Sequence, residues 1–289
     1  MKLTEEQVGF FNSQGYLVAD AIVTDLNLAP VIAEYELWIN ERAKDLHSRG
    51  EISELHSDAP FETRFALLSS QFGKFAAGMD IMEARGKAIF EFLHNRNLLD
   101  AVESLVGPEI TCNPIQHIRP KPPSAVEASG YYNVPWHQDS AVTWEEADQS
   151  NIVTCWIAMV DATVQNGCME VLPGVFAGGY LPHHSGEGGT TVRPEALPAV
   201  SPVPVPVKKG GAVFMHRCTP HRSTPNFTNT VRWSIDLRYQ PTGEPTGRPF
   251  YPDFPVRSAI REINPDYDEW VRRWIEGLET GKGARWHRI

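Results

Sequence analysis

The feature that most constrains the fold is a series of short apolar segments, punctuated by proline and glycine, that runs from residue 110 to residue 239. It comprises ITCNPIQHI (110–118), YNVPWH (132–137), NIVTCWIAMV (151–160), CMEVLPG (168–174), VPVPV (203–207), GAVFMH (211–216) and VRWSIDLRY (231–239). Such runs, separated by turn residues and not joined by helical patterns, are typical of β-strands. They predict a β-sandwich or barrel.

Helical patterns flank this segment. Thr4 and Gln7 form a capping box that predicts a first helix ending at Gly15, followed by a short strand in GYLVAD (15–20). A second helix is expected to begin at Thr24.

Two more amphipathic helices are predicted between about 78 and 106, and YDEWVRRWIEGL (267–278) predicts a C-terminal helix. No linker or repeat interrupts the 289 residues, so we expect one domain over 1–289. Its parts would be a helical region to about 107, a β core over about 108–242 and an extension over about 243–289.

The segment from 180 to about 201 is rich in glycine, proline and histidine and has no periodicity. A loop of this length is either a lid or binding loop, or a surface excursion without structure.

Composition limits the kinds of molecule that the protein can bind and indicates its cellular compartment. The formal net charge is −10 and the pI is about 5.5, which argues against nucleic acid. Four widely spaced cysteines suit neither a zinc ribbon nor a disulfide framework. We see no signal peptide and no apolar run of membrane-spanning length, and we expect a cytoplasmic protein.

His137 and Asp139 lie two residues apart in VPWHQDSAVTW (134–144), which begins like a buried strand. Residues i and i+2 of a strand share a face, so both side chains would converge while Gln138 turns away. Such a pair binds a metal or forms a hydrogen bond. A third metal ligand could come from either His216 or His221.

The segment 231–239 alternates strictly between apolar and polar residues. Its polar row faces either solvent or a site inside a barrel. In the second case Arg232 and Ser234 could hold a carboxylate, because a guanidinium fork and a hydroxyl match its oxygens.

These motifs together resemble those of the phytanoyl-CoA dioxygenase family of Fe(II)- and 2-oxoglutarate-dependent oxygenases. The similar elements, which cover most of residues 3–240, are LTEEQVGFFNSQGYLV near the N-terminus, KPP (121–123), WHQD (136–139), CWIAMVDATVQNGCMEVLPG (155–174) and HRSTPN (221–226) followed by Arg232. The resemblance implies an α+β fold with a mainly β core. That core would be a double-stranded β-helix, or cupin-like jelly roll, flanked by N-terminal helices and a C-terminal helix.

The resemblance also implies roles for individual residues. His137, Asp139 and His221 would hold Fe(II), because the family places ten residues between the distal histidine and the 2-oxoglutarate arginine. Arg232 would bind 2-oxoglutarate. Further contacts to the co-substrate are expected from Trp156, Ser223, Ser234 and Gln116.

Gln116 and His117 point in opposite directions along a strand, so only one of them can face the site. Substrate contacts are expected from His117, Tyr132, Thr143 and Trp144, with Tyr131 as a further candidate.

One position departs from the pattern of some relatives, and another distinguishes this chain from halogenating relatives. Met169 replaces a threonine that touches the co-substrate in some relatives. Asp139 is present, whereas halogenating relatives carry a small residue there.

The chemistry implied is oxidation of a small molecule with Fe(II), 2-oxoglutarate and O2, with ascorbate as a possible support and succinate and CO2 as products. Hydroxylation is the default outcome, with desaturation or cyclisation as alternatives. A non-catalytic ligand-binding barrel, and a metal-dependent isomerase or cofactor-free dioxygenase, are the rival interpretations. We expect a monomer or homodimer that binds neither nucleic acid nor membranes.

Overall fold

The computed structural model describes residues 2–126, 132–186, 189–285 and 287–288. Its α-helices are α1 (Glu5–Gln14), α2 (Asp25–Ser48), α3 (Phe61–Gln71), α4 (Ile81–Ala84), α5 (Lys87–Leu93), α6 (Arg96–Val106) and α7 (Tyr267–Thr280). Its strands are β1 (Tyr16–Ala19), β2 (Ile110–Cys112), β3 (His117–Lys121), β4 (Val153–Ala158), β5 (Met169–Val171), β6 (His183–Gly186), β7 (Gly189–Val192), β8 (Val203–Val205), β9 (Ala212–His216), β10 (His221–Ser223), β11 (Arg232–Pro241) and β12 (Phe254–Arg257).

The N-terminal helices begin where local sequence signals predict. The Thr4 hydroxyl accepts from the Gln7 amide, the Gln7 side chain accepts from the Thr4 amide, and Gly15 ends α1 with a φ of 77°. The expectation of two helices over 78–106 is wrong, because three short helices lie there. Arg85 adopts a left-handed φ of 47° and ends α4.

The larger sheet is antiparallel, with the order β1-β9-β4-β11-β2-β12, and β3 also pairs with β11. Its central strand β11 places Arg232 opposite Lys121 of β3, and Arg238 opposite Thr154 of β4. Directly opposed residues share a face. The polar row of β11 therefore meets the side chains of β3 and β4 on one side of the sheet.

The other face of β11 packs in the main hydrophobic core. Trp233, which is fully buried, stacks on Phe61 of α3 with ring centroids 4.5 Å apart and meets Phe65 edge-on at 5.3 Å. Tyr239 donates a hydrogen bond to the carbonyl of Leu93, at 3.0 Å. The N-terminal helices thus cover the apolar face of the sheet and leave the polar face turned the other way.

A smaller antiparallel sheet has the order β10-β5-β8. It is joined to the loop before Asp139 by an isolated bridge between His137 and His221. The two sheets, the N-terminal helices and α7 form the α+β jelly-roll fold, with a mainly β core, that the sequence predicts.

Two local predictions need correction. Residues 132–137 do not form a strand, and Asp139 begins a 3-10 helix (Asp139–Ala141). The region from 180 to 201 is not a structureless loop, because β6 and β7 pair as an antiparallel hairpin within it. Glu187, Gly188 and the candidate Tyr131 lie outside the described residues. Among the described residues, no helix is both long enough and apolar enough to cross a membrane.

Candidate iron and 2-oxoglutarate site

Three predicted ligand residues converge between the two sheets. One ligand atom each from His137, Asp139 and His221 lies within 4.8 Å of the other two. The Nε2 atoms of His137 and His221 stand 3.8 and 3.9 Å from Asp139 Oδ1. The bridge between the two histidines positions both rings, and the 3-10 turn swings the carboxylate toward them. The convergence is as predicted, although its cause is not a shared strand face.

Both imidazoles are oriented for metal binding by the backbone. Nδ1 of His137 lies 2.9 Å from the carbonyl oxygen of Pro135, and Nδ1 of His221 lies 3.0 Å from that of Thr219. Because a carbonyl only accepts, each Nδ1 carries a proton, and in the neutral form of such a ring the lone pair is on Nε2. Burial and the neighbouring His221 lower the pKa of His137 to about 3, so its ring is neutral at pH 7.

The Asp139 carboxylate is held by two side chains that sequence reasoning did not assign. Arg238 donates from Nη2 to Oδ1 at 3.0 Å and from Nε to Oδ2 at 3.1 Å, and the Thr154 hydroxyl donates to Oδ2. Burial alone would raise the pKa of Asp139, but Arg238 and the two histidines hold it well below its ordinary value. The carboxylate is therefore ionised and has a fixed orientation.

A first cavity, of about 130 Å³, opens on one side of the triad and contains Arg232. Arg232 is 4% exposed, donates from Nη1 to the Ser234 hydroxyl at 2.9 Å, and lies over the Trp156 ring at 4.8 Å. Its Nε has no hydrogen-bond partner among the described residues. Burial lowers the pKa of Arg232 to about 10, which leaves it charged at pH 7.

The same cavity contains Lys121, Tyr132 and Ser223. The Lys121 ammonium donates to the Tyr132 carbonyl at 2.7 Å and to the Ser223 hydroxyl at 3.3 Å, and its side chain is 1% exposed. The KPP motif thus contributes a second buried cation beside Arg232. Met169 also lines this cavity.

A second cavity, of about 270 Å³, adjoins the triad at His137 and Asp139 and shares Arg119, Val134, His137 and Arg238 with the first. His117 faces it from β3, with Nδ1 bonded to Asp80 Oδ2 at 2.6 Å. The rest of its wall includes Arg248, Tyr251, Trp274 and His287, which lie in a part of the chain where the sequence predicts no site residue.

His287 and Arg288 make contacts in this region. Nδ1 of His287, which lines the second cavity, lies 2.8 Å from the Thr190 hydroxyl of the β6–β7 hairpin. Arg288 forms an ion pair with Asp148, and its guanidinium lies 4.6 Å from the Tyr180 ring centroid.

Four predicted site residues do not line either cavity, and one of them, Ser234, instead accepts the hydrogen bond from Arg232. Gln116 is fully buried and donates to the Asn113 carbonyl at 3.1 Å, so His117 is the member of that pair that faces the site. The Thr143 hydroxyl donates to the Ser140 carbonyl at 3.1 Å. The Trp144 indole donates to the carbonyl of Arg285 at 3.3 Å.

Thr143 and Trp144 are displaced because the chain turns through two 3-10 helices on either side of them, at Asp139–Ala141 and Glu145–Ala147. Thr143 packs against Gly247, where a Cβ would lie 2.5 Å from the threonine Cβ. Val142 lines the second cavity instead.

His216, the competing third ligand, lies outside the triad. Its Nδ1 accepts from the Cys218 amide at 3.1 Å and its ring packs on Phe176. Of the functional side chains that we did not assign, Arg238 had a sequence signal, because it shares the polar row of β11 with Arg232. Thr154, on the fully buried strand β4, had none.

Comparisons with known proteins agree with this geometry. Residues 11–234 match the model of the family described as "Phytanoyl-CoA dioxygenase (PhyH)". The peroxisomal phytanoyl-CoA dioxygenase of Homo sapiens is 26% identical over 244 residues, which is 82% of this chain and 68% of the relative. A methylphosphonate hydroxylase of Gimesia maris is 27% identical over 287 residues and 98% of each chain.

Among solved structures, EvdO2 from Micromonospora carbonacea var. aurantiaca, complexed with 2-oxoglutarate, superposes with a TM-score of 0.57. It is 20% identical, and the alignment covers 93% of this chain and 96% of that one. At this identity the likeness concerns the fold. With the family match over most of its length and a His-Asp-His triad in place, this chain belongs to the phytanoyl-CoA dioxygenase family and is an Fe(II)- and 2-oxoglutarate-dependent oxygenase.

Proposed function

We propose that this chain hydroxylates a small organic metabolite, with Fe(II) held by His137, Asp139 and His221 and 2-oxoglutarate held by Arg232. The observation that carries the proposal is that triad residues line two cavities, one of which contains the buried Arg232. A co-substrate and a substrate can then approach the same metal through different cavities.

The donor set suits iron that must keep open positions. Two neutral imidazoles and one carboxylate are the ligands of non-haem Fe(II) oxygenases, and they leave room for a co-substrate and O2. Both Nε2 lone pairs are available, since each Nδ1 proton is engaged by a backbone carbonyl. Iron bound there would supply O2 activation, with 2-oxoglutarate as the reductant that is converted to succinate and CO2 while the second oxygen atom goes to the substrate.

The first cavity suits the far carboxylate of 2-oxoglutarate. Arg232 is a buried cation whose Nε has no partner in the part of the chain that the structure describes, and an ionised carboxylate accepts bidentate hydrogen bonds from a guanidinium. Ser234 fixes the guanidinium from behind, and Trp156 supports its face. Lys121 and Ser223 line the same cavity and add donors there. Gln116 is left out of this set because it faces away.

The second cavity is the site we propose for the substrate. Its volume of about 270 Å³ suits a small molecule. The alignment with the methylphosphonate hydroxylase covers 98% of this chain and 98% of the relative. The name of that relative specifies a one-carbon phosphonate rather than a coenzyme A thioester. We therefore favour a small substrate over an acyl-CoA for this chain.

Anaerobic titration of the protein with Fe(II) and 2-oxoglutarate tests the assignment. Wild-type protein is expected to develop a weak visible metal-to-ligand absorption band, and His221→Ala to lose it. His216→Asn is the matched control, because Asn can still accept from the Cys218 amide, and it should keep the band.

Succinate release in air, stimulated by candidate metabolites and followed by product analysis, then tests hydroxylation. A wild type without the band and without succinate release contradicts the proposal. A band that survives in His221→Ala but not in His216→Asn contradicts the ligand assignment.

A further inference from the structure

A carboxylate and an imidazole form a hydrogen-bonded pair at the wall of the second cavity. His117 begins β3 and lines this cavity, and its Nδ1 lies 2.6 Å from Oδ2 of Asp80. The other carboxylate oxygen, Oδ1, accepts from the amide of Ile81 at 2.9 Å and from the amide of Ile118 at 3.1 Å. Three N–H groups therefore hold the Asp80 carboxylate in one orientation between α4 and β3.

The two members of the pair have defined protonation states. Burial alone would raise the pKa of Asp80, but His117 and Arg119 hold it below its ordinary value. Burial lowers the pKa of His117 below its ordinary value, with Arg119 as the next cause, against the opposite influence of Asp80. At pH 7 the carboxylate is therefore ionised and the imidazole is neutral.

The ionised carboxylate determines which nitrogen of the imidazole carries the proton. A carboxylate without a proton only accepts hydrogen bonds, so Nδ1 of His117 is the donor to Asp80. In a neutral imidazole the lone pair is then on Nε2, which can accept a hydrogen bond. This Nε2 has no hydrogen-bond partner among the described residues, and its ring lines the second cavity. The pair thus offers an acceptor to a molecule in that cavity.

The connection between α4 and β3 does not depend on the imidazole. The amides of Ile81 and Ile118 already join the two elements through Oδ1 of Asp80. The imidazole adds a polar atom of a kind that the arginines in the same cavity lack, because a guanidinium group only donates. A ligand group that donates a hydrogen bond therefore finds a partner at His117 and none at those arginines.

The charges near His117 favour an uncharged donor over an ammonium group. Arg119 lies two residues further along β3, on the same face of the strand, and Arg238 lines the same cavity. The charge of Arg119 lowers the pKa of His117 by more than the charge of Asp80 raises it, and Arg238 adds to this effect. A second cation at Nε2 would meet the same repulsion, whereas a hydroxyl or an amide N–H would not.

We propose that the pair formed by Asp80 and His117 selects a small substrate with an uncharged hydrogen-bond donor, a hydroxyl or an amide N–H, which donates to Nε2 of His117. His117 contacts the substrate, and Asp80 is a positioning residue that acts through it. His137 and Asp139 line the same cavity, so a molecule held at His117 lies beside the proposed iron ligands. This inference rests on the proposed function, because it assumes that the second cavity receives the substrate.

The tautomer of His117 is measured by NMR on protein labelled with 15N-histidine and loaded with 2-oxoglutarate and Zn(II), a diamagnetic substitute for Fe(II). We expect wild-type His117, identified by the signal missing from His117→Gln, to be protonated at Nδ1 and unprotonated at Nε2 at pH 7. In Asp80→Asn the amide oxygen can still accept from the two backbone amides, which turns the amide nitrogen toward the imidazole. That nitrogen donates to Nδ1, so the proton of His117 should move to Nε2.

The matched control is Asp266→Asn. Asp266 is also a helix N-cap, and its carboxylate accepts from the Glu269 amide at 2.9 Å at the start of α7. This variant should leave the tautomer of His117 unchanged. It separates the effect of the Asp80 carboxylate on the imidazole from the effect of losing a charged helix cap.

Selectivity is measured by anaerobic titration of the Fe(II)- and 2-oxoglutarate-loaded protein, with a shift of the metal-to-ligand band as the readout. The probes are 1-butanol against butyl methyl ether, N-methylacetamide against N,N-dimethylacetamide, and butylammonium as the charged donor. Wild-type protein should bind the alcohol and the secondary amide with a Kd about 10-fold lower than that of the partner without a donor, and than that of butylammonium.

Variants at the pair should change this preference while the band itself still forms. His117→Leu should abolish the preference, whereas His117→Gln should keep part of it, because the side-chain carbonyl of glutamine accepts a hydrogen bond. Asp80→Asn should also lose it, and Asp266→Asn should retain it in full. If Asp80→Asn does not fold, the comparison of His117→Gln with His117→Leu still decides the matter.

The outcomes separate this inference from the proposed function. A wild type that never forms the band contradicts the iron and 2-oxoglutarate assignment, whatever the tautomer of His117. A wild type that forms the band but binds the donor probes no better than their partners, or binds none of them, overturns the present inference alone. So does a wild-type His117 protonated at Nε2, a preference for butylammonium, or a preference that survives in His117→Leu.

Discussion

Arg232 and Arg238 lie six residues apart on the same face of β11 and are both buried, yet they have different partners. Arg238 bonds both oxygens of Asp139, whereas Arg232 has no ion pair among the described residues and meets only a hydroxyl and an aromatic ring. We expect replacement by methionine to lower the free energy of unfolding of the metal-free protein at Arg238, and to leave it unchanged or raise it at Arg232.

Removal of Arg238 leaves the Asp139 carboxylate buried without its counterion. Breaking a buried pair by deleting one partner costs about 3–5 kcal/mol. A domain is stabilised by only about 5–15 kcal/mol in total. Arg238→Met should therefore lower the free energy of unfolding of the metal-free protein by a large fraction of its total.

Removal of Arg232 instead removes an unfavourable free energy, that of burying its charge. Burial lowers the pKa of Arg232 from 12.5 to about 10. At 1.36 kcal/mol per pKa unit this corresponds to about 3 kcal/mol of unfavourable charge burial. The lost bond to Ser234 and the lost contact with Trp156 offset about 1 kcal/mol each. Arg232→Met should be as stable as wild type or more stable, by up to about 1 kcal/mol, while its 2-oxoglutarate affinity falls by about 100-fold or more.

Urea unfolding of chelator-treated protein measures the two stabilities, and titration of the metal-to-ligand band measures 2-oxoglutarate affinity. Arg238→Met should unfold at much lower urea than Arg232→Met. If Arg232→Met loses as much stability as Arg238→Met, Arg232 is a structural residue and the reasoning fails. It also fails if Arg232→Met binds 2-oxoglutarate as the wild type does.

Three further predictions concern the surroundings of the site. Thr154→Val keeps the shape of the side chain but removes the hydroxyl that donates to Asp139, so Fe(II) affinity measured by competition with a chelator should fall by about 10- to 100-fold; an unchanged affinity would show that the carboxylate needs no such support. Divalent metal at 100 times its Kd should raise the free energy of unfolding by about 2.7 kcal/mol in wild type and by nothing comparable in His221→Ala, as followed by thermal melts; equal shifts would place the metal elsewhere. Burial lowers the pKa of His216 from 6.5 to about 4, so the unfolded chain takes up the proton first, and the contribution of this residue is complete above pH 6.5 and is lost as the pH falls toward 4. That loss amounts to about 3 kcal/mol. The free energy of unfolding of His216→Asn should therefore fall less steeply than that of the wild type between pH 6.5 and 4. If both proteins lose stability equally over this range, the lowered pKa of His216 is contradicted.

The alternation of polar and apolar residues along a strand allowed the sequence to predict which side chains share a face. The polar row of β11 was visible in its period of two, and the structure shows that it faces the site rather than solvent. Arg232 and Arg238 lie where that pattern places them. The same logic failed at Asp139, because a 3-10 turn replaces the expected strand, and the triad converges through a bridge between its two histidines instead.

The lining of the second cavity could not be predicted for a different reason. Thr143 and Trp144 follow the metal ligands in sequence, but two 3-10 helices carry them away from the cavity. Arg248 and His287 come from irregular chain, where no period indicates which way a side chain points. Only their tertiary contacts bring them to the second cavity.

The position of Arg248, Trp274 and His287 in the sequence bears on how the selectivity of the protein can change. The family match ends at residue 234 and includes the triad and Arg232, whereas Arg248, Trp274 and His287 lie beyond it. We therefore expect substitutions of Arg248, Trp274 or His287 to alter which molecule is accepted without changing the proposed iron ligands. Exchange of this region between relatives offers a direct route to new substrate ranges on a constant oxidative centre.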